Sequence, residues 1–382
     1  MGQIISAVVA FGVFLSLFFF SILLAKPCRG GANRYMALFV LSAGLSISYE
    51  VLFPTGLYRR LPFFVKTYIP PQFLLGPLLF FYVSAITEPS FRFTKRMLLH
   101  FLPFLVSLLY LAPFFLESAQ AKIAFVQSTV TPARPSSAEE WLIWLSLQAS
   151  LWAYSLLALR KYREYGQMIK ETVSDISRYV WNWLHIFLVC IQGMLIAFLG
   201  LDLLMLNGVP LVAFNPIISL GMTGSIVFLG WRGLLRLDYI SPAPPEERLR
   251  PSQAEERSSG EWEALFAQAE GATRARALFR SPELTLPELA QALGYSRTEL
   301  SKIVNLGGGM NFYDFINKLR VEDARRRLEA GDCSSVLDAA LESGFNTKST
   351  FHEAFKKWTG MTPSAYRKQH AIAEASGATR PY

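Results

Sequence analysis

The chain has 382 residues, 52% of them hydrophobic and 17% charged, with a formal net charge of +8. So apolar a composition excludes an ordinary soluble chain throughout, and the length allows two or three domains. The basic balance suits nucleic acid or an anionic membrane surface without choosing between them. Cys28, Cys190 and Cys333 lie too far apart for a disulfide framework or a zinc site, so neither metal nor cofactor is expected.

Ile4–Leu24 holds 21 residues without a charge. At 1.5 Å per residue that crosses the ~30 Å of a bilayer's hydrocarbon. The run lacks a basic leader, and Ala25–Cys28 offers no small-x-small cleavage site, so the segment is expected to stay. Further spans are predicted at Tyr35–Phe53, Phe73–Ile86, Met97–Phe115, Trp141–Leu159, Val180–Leu206 and Val209–Leu229. Trp141, Trp144, Tyr179, Trp181, Trp183 and Trp231 cluster near their ends, where amphipathic rings favour the interface. The connection Leu116–Glu140, with Pro132 and Pro135, reads as a solvated loop.

Seven spans put the termini on opposite sides. With the N-terminus outside, the inner loops carry thirteen Lys and Arg and the outer loops five. The positive-inside bias therefore places the C-terminal third in the cytoplasm of a multi-pass inner-membrane protein. Within the spans, Glu50, Gln148, His185, Gln192 and Asp202 are candidates for a signal-ligand site, because polar groups in lipid are costly. The alternatives are hydrogen bonding between helices or a position near the surface.

Asp238–Ser259 has Pro242, Pro244, Pro245 and Pro251, mixed charges and no apolar period, the marks of an extended linker. Glu261–Arg280 follows with Trp262, Leu265, Phe266, Ala269, Ala277 and Leu278 near helical spacing, weakened at Gly271. It reads as the first helix of the next domain, or as a segment that dimerises or transmits a signal.

From Leu284 the pattern becomes specific. Leu286, Leu289, Ala290 and Leu293 make an apolar stripe, Gly294 supplies a tight turn, and Ser296 with Glu299 is a capping box. Leu300, Ile303 and Val304 bury the next helix, whose other face carries Arg297, Thr298, Ser301, Lys302 and Asn305. These side chains suit phosphate and base edges. Gly307–Gly309 reads as a helix C-cap and turn, since it lacks the Lys-Ser/Thr ending of a phosphate loop. Phe312–Glu329 is an amphipathic helix, with Phe312, Phe315, Ile316, Leu319, Val321, Ala324 and Leu328 set against Arg320, Arg325, Arg326 and Arg327. The first pattern then recurs. Val336, Ala339, Ala340 and Leu341 form a helix and Ser343-Gly344-Phe345 a turn. Thr347–Trp358 buries Phe351 and Phe355 and presents Lys348, Ser349, Thr350, His352, Lys356 and Lys357. No second ligand stands beside His352, so it is no metal site.

The run Ala339, Gly344-Phe345, Phe351, Phe355-Lys356-Lys357, Gly360-Met361-Thr362-Pro363 and Tyr366-Arg367 closely resembles the AraC/XylS family of bacterial transcription regulators. The resemblance implies two helix-turn-helix units on one shared helix, reading successive major-groove segments of a duplex. It assigns base and phosphate contacts to Arg297, Thr298, Ser301, Lys302 and Asn305, and to Asn346, Thr347, Lys348, Ser349, Thr350, His352 and Lys356. Val336-Leu337-Asp338-Ala339-Ala340 departs from the family's usual Ile-x-x-Ile-Ala start of the second unit while keeping its apolar spacing. From Arg280 to Lys368 there are 13 Lys and Arg against 11 Asp and Glu. Affinity must therefore rest on where the charges lie rather than on bulk charge.

The expected architecture is all-α, a seven-helix transmembrane bundle followed by a cytoplasmic double helix-turn-helix domain. Residues 1–236 form the membrane region, 237–260 the linker, 261–370 the reading domain and 371–382 a disordered tail. The expected function is a membrane-bound one-component regulator and not an enzyme, since the spans hold no HExxH, GxSxG, nucleotide loop or paired carboxylates. Its implied partners are double-stranded DNA, the lipid bilayer and an unidentified signal ligand, with a second copy of the chain and RNA polymerase as further candidates. The rival readings are a membrane transporter or enzyme with a regulatory C-terminal domain, and a helix-turn-helix domain acting only in protein interaction.

Overall fold

The computed structural model describes residues 2–25, 31–88, 90–128, 138–176, 182–206, 215–235, 258–331 and 333–375. Their regular structure is helical, and the one extended pairing among them is an isolated antiparallel bridge between Val173 and Thr285. The chain divides into two compact units, Met1–Arg163 with Asn182–Pro244, and Glu164–Trp181 with Pro245–Tyr382.

The first unit is built from the apolar runs. Its helices are α1 (Gly2–Ala25), α2 (Ala32–Ile47), α3 (Tyr49–Leu52), α4 (Ile69–Thr87), α5 (Leu102–Leu116), α6 (Ala119–Ser128), α7 (Ala138–Lys170, of which Glu164 onward belongs to the second unit), α8 (Asn182–Leu206) and α9 (Asn215–Leu235). By length and composition, six stretches could cross a membrane: Ile4–Ala25, Ala32–Leu52, Ile69–Thr87, Lys95–Leu116, Trp141–Lys170 and Trp183–Leu201. The seventh expected span coincides with α9, which is not among them; residues 209–214 lie outside the described residues. α1 packs on α2 and α9, and α2 packs also on α4. The approach of α1 to α2 is close enough that a Cβ at Gly44 would meet the Ser16 hydroxyl at 1.9 Å. Small residues at such crossings let membrane helices touch.

Several sequence expectations change here. Tyr35–Phe53 is two helices, interrupted where the Ser48 hydroxyl donates to the Leu45 carbonyl at 2.7 Å and competes with the helical ladder. Lys95–Phe101, at the start of the fourth span, is a 3₁₀ turn before α5 begins. The connection after Leu116 is not simply a solvated loop, because it contains α6. Lys122 of that helix is 1% exposed, donates to the Phe115 carbonyl at 2.8 Å and lies over the Phe63 ring. Ile123, Phe125 and Val126 pack on Leu52, Tyr58 and Val65. Residues 129–137 of the connection lie outside the described residues. Finally, α7 runs to Lys170 rather than ending at Leu159. Tyr162, Tyr165 and Ile169 are buried at helical spacing, and these carry the helix past its apolar run.

The second unit holds α10 (Ser259–Ala275), α11 (Leu286–Leu293), α12 (Arg297–Lys302), α13 (Phe312–Ala330), α14 (Val336–Glu342), α15 (Lys348–Thr359) and α16 (Pro363–Ala375). The expected linker lies outside the described residues up to Arg257 and the expected disordered tail from Ser376 on; what is described of them departs from the expectation, since 259–260 already belong to α10 and 371–375 continue α16 as helix. Ser258 opens α10, its N–H bonded to the Glu261 carboxylate at 2.7 Å in a capping box. α10 runs unbroken through Gly271 and ends before Ala277, which has φ 48°.

Two hydrophobic cores organise this unit. Ala269, Phe279, Leu286, Leu289, Leu300, Ile303, Phe312, Phe315, Ile316 and Leu319 form the first, with Trp262, Leu265 and Phe266 of α10 packed on it. Val321, Ala324, Leu328, Ala339, Ala340, Phe345, Phe351, Ala354 and Phe355 form the second. The N-terminal half of α13 therefore belongs to one core and its C-terminal half to the other, so α13 is the axis on which both small units fold. α10 is the first helix of this domain.

Candidate nucleic-acid interface

The two polar-faced helices are each set by the residues just before them. α11 ends at Gly294, and Ser296 Oγ accepts the Glu299 N–H at 3.1 Å, fixing the first turn of α12. A capping serine satisfies a helix-end donor that has no partner in the ladder. Leu300, Ile303 and Val304 are buried, so helical spacing turns Arg297, Thr298, Ser301, Lys302 and Asn305 away from the core. Asn305 is exposed and its amide donates to Ser301 Oγ at 3.3 Å; Arg297, Thr298, Ser301 and Lys302 are half-buried. Past Lys302 the helix continues as a π turn, Ile303–Gly307. α10 lies directly against it. A Cβ at Gly307 would fall 2.1 Å from the Trp262 carbonyl oxygen, and one at Gly308 would fall 2.5 Å from the Phe266 ring. These glycines therefore do more than end a helix; they give α10 its seat.

The second unit repeats the device. Thr347 Oγ1 accepts the Thr350 N–H at 3.2 Å and donates to Thr350 Oγ1 at 2.9 Å. Phe351, Ala354 and Phe355 are buried. Lys348, His352 and Lys356 then follow one another down the opposite face at four-residue spacing, with Ser349 beside them. Lys348, Ser349 and Lys356 are exposed and His352 is half-buried, its ring edge-on to Phe351 at 6.0 Å. Thr350 departs from the sequence expectation. It is 8% exposed and completes the cap instead of facing outward. Asn346, just before the cap, is exposed, but its amide donates to the Asp175 carboxylate at 2.7 Å. Lys357 pairs with Asp314 of α13 at 2.6 Å. Asn305, Asp314, Lys357 and Trp358 line one open cleft of about 520 Å³ where the two small units meet.

The arginines of α13 do not form one solvated face. Arg320 is 1% exposed. Its Nε donates to the Phe279 carbonyl at 2.8 Å, and its Nη2 donates to the Ser281 carbonyl at 2.7 Å and to Ser174 Oγ at 3.0 Å. Burial lowers its pKa to about 10, which leaves it charged at neutral pH. The spacing Ile316, Arg320, Ala324 already placed it on the buried stripe. Arg327 bonds to Asp323 at 2.9 Å and also pairs with Glu342, while Arg325 and Arg326 stay exposed. Asp323 is 5% exposed and takes bonds from Arg280 at 2.9 Å and from the Ser343 hydroxyl at 3.2 Å. Burial pushes its carboxyl pKa up, but the bonds from Arg280 and Arg327 outweigh burial and hold it below the ordinary range. This carboxylate ties the turn before α15 to α13 and to the Arg280 segment. Leu341, expected in the core, is 52% exposed, as is Leu337 at 48% one helical turn before it.

Two small helical cores on a shared axis, each presenting a capped polar-faced helix, define a paired helix-turn-helix module. Comparison agrees. Residues 289–369 match the family described as helix-turn-helix domain. An uncharacterised HTH-type transcriptional regulator of Staphylococcus aureus (strain COL) is 36% identical over 85 residues, 22% of this chain and 11% of its own length. Its counterpart in S. aureus strain MRSA252 is likewise 36% identical over 85 residues. The probable transcription factor PqrA of Proteus vulgaris is 32% identical over 97 residues, 25% of this chain and 79% of its own length. Through this domain the chain belongs to the helix-turn-helix transcriptional regulators of the AraC type. The alignment covers about a tenth of the length of the S. aureus relatives. No solved structure matches the chain.

The polar residues of the first unit have separate neighbours. Glu50 is buried, and its backbone carbonyl accepts from the Ser6 hydroxyl at 3.1 Å. His185 stacks on Tyr162 at 5.9 Å. Gln148 is half-buried on α7. The Gln192 amide is buried with no partner among the described residues. The Asp202 side chain lies outside the described residues.

Proposed function

We propose that the chain is a membrane-anchored, one-component transcription regulator that binds double-stranded DNA in a sequence-specific manner through α12 and α15. The observation that carries the reading is the pair of capped helices on α13, each with an apolar face in its own core; the other face carries Arg, Thr, Ser, Lys and Asn on the α12 turn and Lys, Ser and His on α15. In helix-turn-helix proteins the second helix of each unit enters the major groove, where such side chains meet base edges and phosphates. The apolar helices anchor the chain in the bilayer. The excess of Lys and Arg on one set of loops puts the reading domain on the cytoplasmic side of a bacterial inner membrane, with the N-terminus outside. A signal taken up by the membrane region acts on the reading domain by its different affinity for two states of the chain. A second copy of the chain and RNA polymerase are the protein partners that fit such a role.

The exposed apolar pair Leu337 and Leu341 on α14 favours a second reading, in which the domain docks a protein without reading DNA. Footprinting of the full-length protein on a selected duplex separates the two. Lys302→Ala and Asn305→Ala should each weaken protection by about 1–3 kcal/mol, with loss of preference at individual base pairs for a base contact. Leu337→Ser should leave the footprint unchanged. Protection indifferent to both α12 substitutions refutes direct reading by that helix.

A further inference from the structure

One segment outside the reading domain's own stretch of sequence is built into it. α7 is one continuous helix to Lys170, and from Glu164 onward it belongs to the second compact unit. The residues after it lie along the start of α11. Leu286 N–H donates to the Thr172 carbonyl at 2.9 Å, and Ser174 N–H donates to the Leu284 carbonyl at 3.1 Å. Between these bonds Val173 faces Thr285 in an antiparallel bridge. Val173, Ser174 and Asp175 are 4%, 0% and 7% exposed.

The socket is specific. Buried Arg320 grips Ser174 twice, through the carbonyl at 3.3 Å and the hydroxyl at 3.0 Å. Asn317, 1% exposed, adds a bond to the same carbonyl at 3.4 Å. Asp175 then reaches Asn346, one residue ahead of the α15 cap, at 2.7 Å. Two things follow from the chemistry. The Asn346 amide, assigned to DNA by the family resemblance, is occupied. That bond also holds the Asp175 carboxylate to the residue just ahead of the α15 cap, at a helix end whose dipole favours an anion such as a DNA phosphate. A phosphate and this carboxylate cannot share the place. The segment can also be released without leaving a bare buried charge, because a guanidinium that loses Ser174 opens that side to water while keeping the carbonyls of Phe279 and Ser281.

We propose that Thr172–Asp175 is an intrachain clamp on the second helix-turn-helix unit. Docked, it withholds Asn346 and the α15 N-terminus from the DNA backbone; released, it frees them. Only Glu171 separates it from the end of α7, so a displacement of α7 is passed directly to the clamp. This rests on the DNA-reading function proposed above.

The bridge supplies the test. Val173 and Thr285 are a non-hydrogen-bonded antiparallel pair, whose Cα atoms lie about 4.5 Å apart, within the span of a disulfide. The experiment uses the full chain in lipid nanodiscs, with Cys28, Cys190 and Cys333 replaced and Val173→Cys and Thr285→Cys introduced. The probe is a random-sequence duplex library, taken through selection on the reduced protein. Oxidation should close the cross-link and lower duplex retention at least about tenfold, with dithiothreitol restoring it, as expected when the competent state is removed from the population. Asp175→Ala alone should raise retention about threefold or more, and Asp175→Glu should raise it less, because the charge remains. A cross-link that does not close under mild oxidant overturns the docking. A closed cross-link with retention unchanged or raised overturns the control of DNA binding. If neither the oxidised nor the reduced protein retains duplex above carrier level, the DNA-reading function fails and the clamp with it.

Discussion

Gly344 sits in the turn of the second unit with φ 93°, and a Cβ there would lie 2.7 Å from the Arg280 carbonyl oxygen and 2.8 Å from the Arg280 Cα. Gly294, in the equivalent turn of the first unit, has φ 79° and nothing within 4 Å of its Cβ position. The pair separates two effects. An L-residue in the left-handed region costs about 1–2 kcal/mol. Alanine recovers about 0.4–1 kcal/mol by restricting the unfolded chain. Gly294→Ala should therefore cost about 1 kcal/mol. Gly344→Ala adds a collision with backbone, which no rotamer change relieves; overpacking of this kind adds about 1–3 kcal/mol, for a total of about 2–4. Hydrogen exchange on the full-length protein in nanodiscs reads both changes as local opening energies. The reporters are the Phe345 N–H, bonded to the Ala340 carbonyl at 3.0 Å, and the Tyr295 N–H, bonded to the Ala290 carbonyl at 2.9 Å. Phe345 should exchange about 30-fold faster or more in Gly344→Ala, and Tyr295 about fivefold faster in Gly294→Ala. Equal effects at the two sites would show that the Arg280 segment does not lie against the second turn, and would refute the packing described here.

Other outcomes follow from the same contacts. Leu300 is 0% exposed, so Leu300→Ala should destabilise the first small unit by about 2–5 kcal/mol, read by exchange in α11 and α12. The Asp323 carboxyl has its pKa lowered in the folded chain. Its stabilisation is therefore fully present above the unfolded value of about 3.9 and is lost as the pH falls through the folded value. Melting curves should show this acid loss, Asp323→Asn should flatten it, and the same change should cost about 1–2 kcal/mol at neutral pH because the partly exposed Arg280 and Arg327 are screened. Lys348→Ala should reduce the slope of log affinity against log salt by about 1, the loss of one phosphate contact; an unchanged slope would show that this ammonium does not meet the backbone. Cysteines placed at Lys95 and at Arg60, both exposed, should label from opposite sides of intact inverted vesicles; labelling from one side contradicts the proposed topology.

Much of the reading domain was legible because its signals are local. Capping residues, turn glycines and apolar spacing locate α11, α12, α14 and α15 almost to the residue. α10 was legible in its apolar spacing, but Gly271 did not weaken it, since the helix buries enough of one face on the first core to carry a glycine. The buried position of Arg320 could have been read from its place between Ile316 and Ala324. Thr350 escapes helical spacing because a first-turn residue beside an N-cap can turn back into the cap. What no periodicity carries is the partnership of Ser174 and Asp175 with Arg320 and Asn346. The hydrogen bonds join stretches more than a hundred residues apart, and a short polar segment after a helix gives no sign of its socket. In the first unit, hydropathy marked the apolar runs but not α6, whose buried Lys122 looks like a loop residue by composition.

On the function proposed above, the paired units select particular DNA sequences from the membrane. Chromatin recovery with the full-length protein in its own cells, compared with a Lys302→Ala and Lys348→Ala double variant, tests it most directly. Wild-type recovery should give discrete enriched sites sharing a two-part sequence, and the variant should lose them. Uniform recovery of chromosomal DNA by the wild-type protein, or identical sites from both proteins, would contradict it.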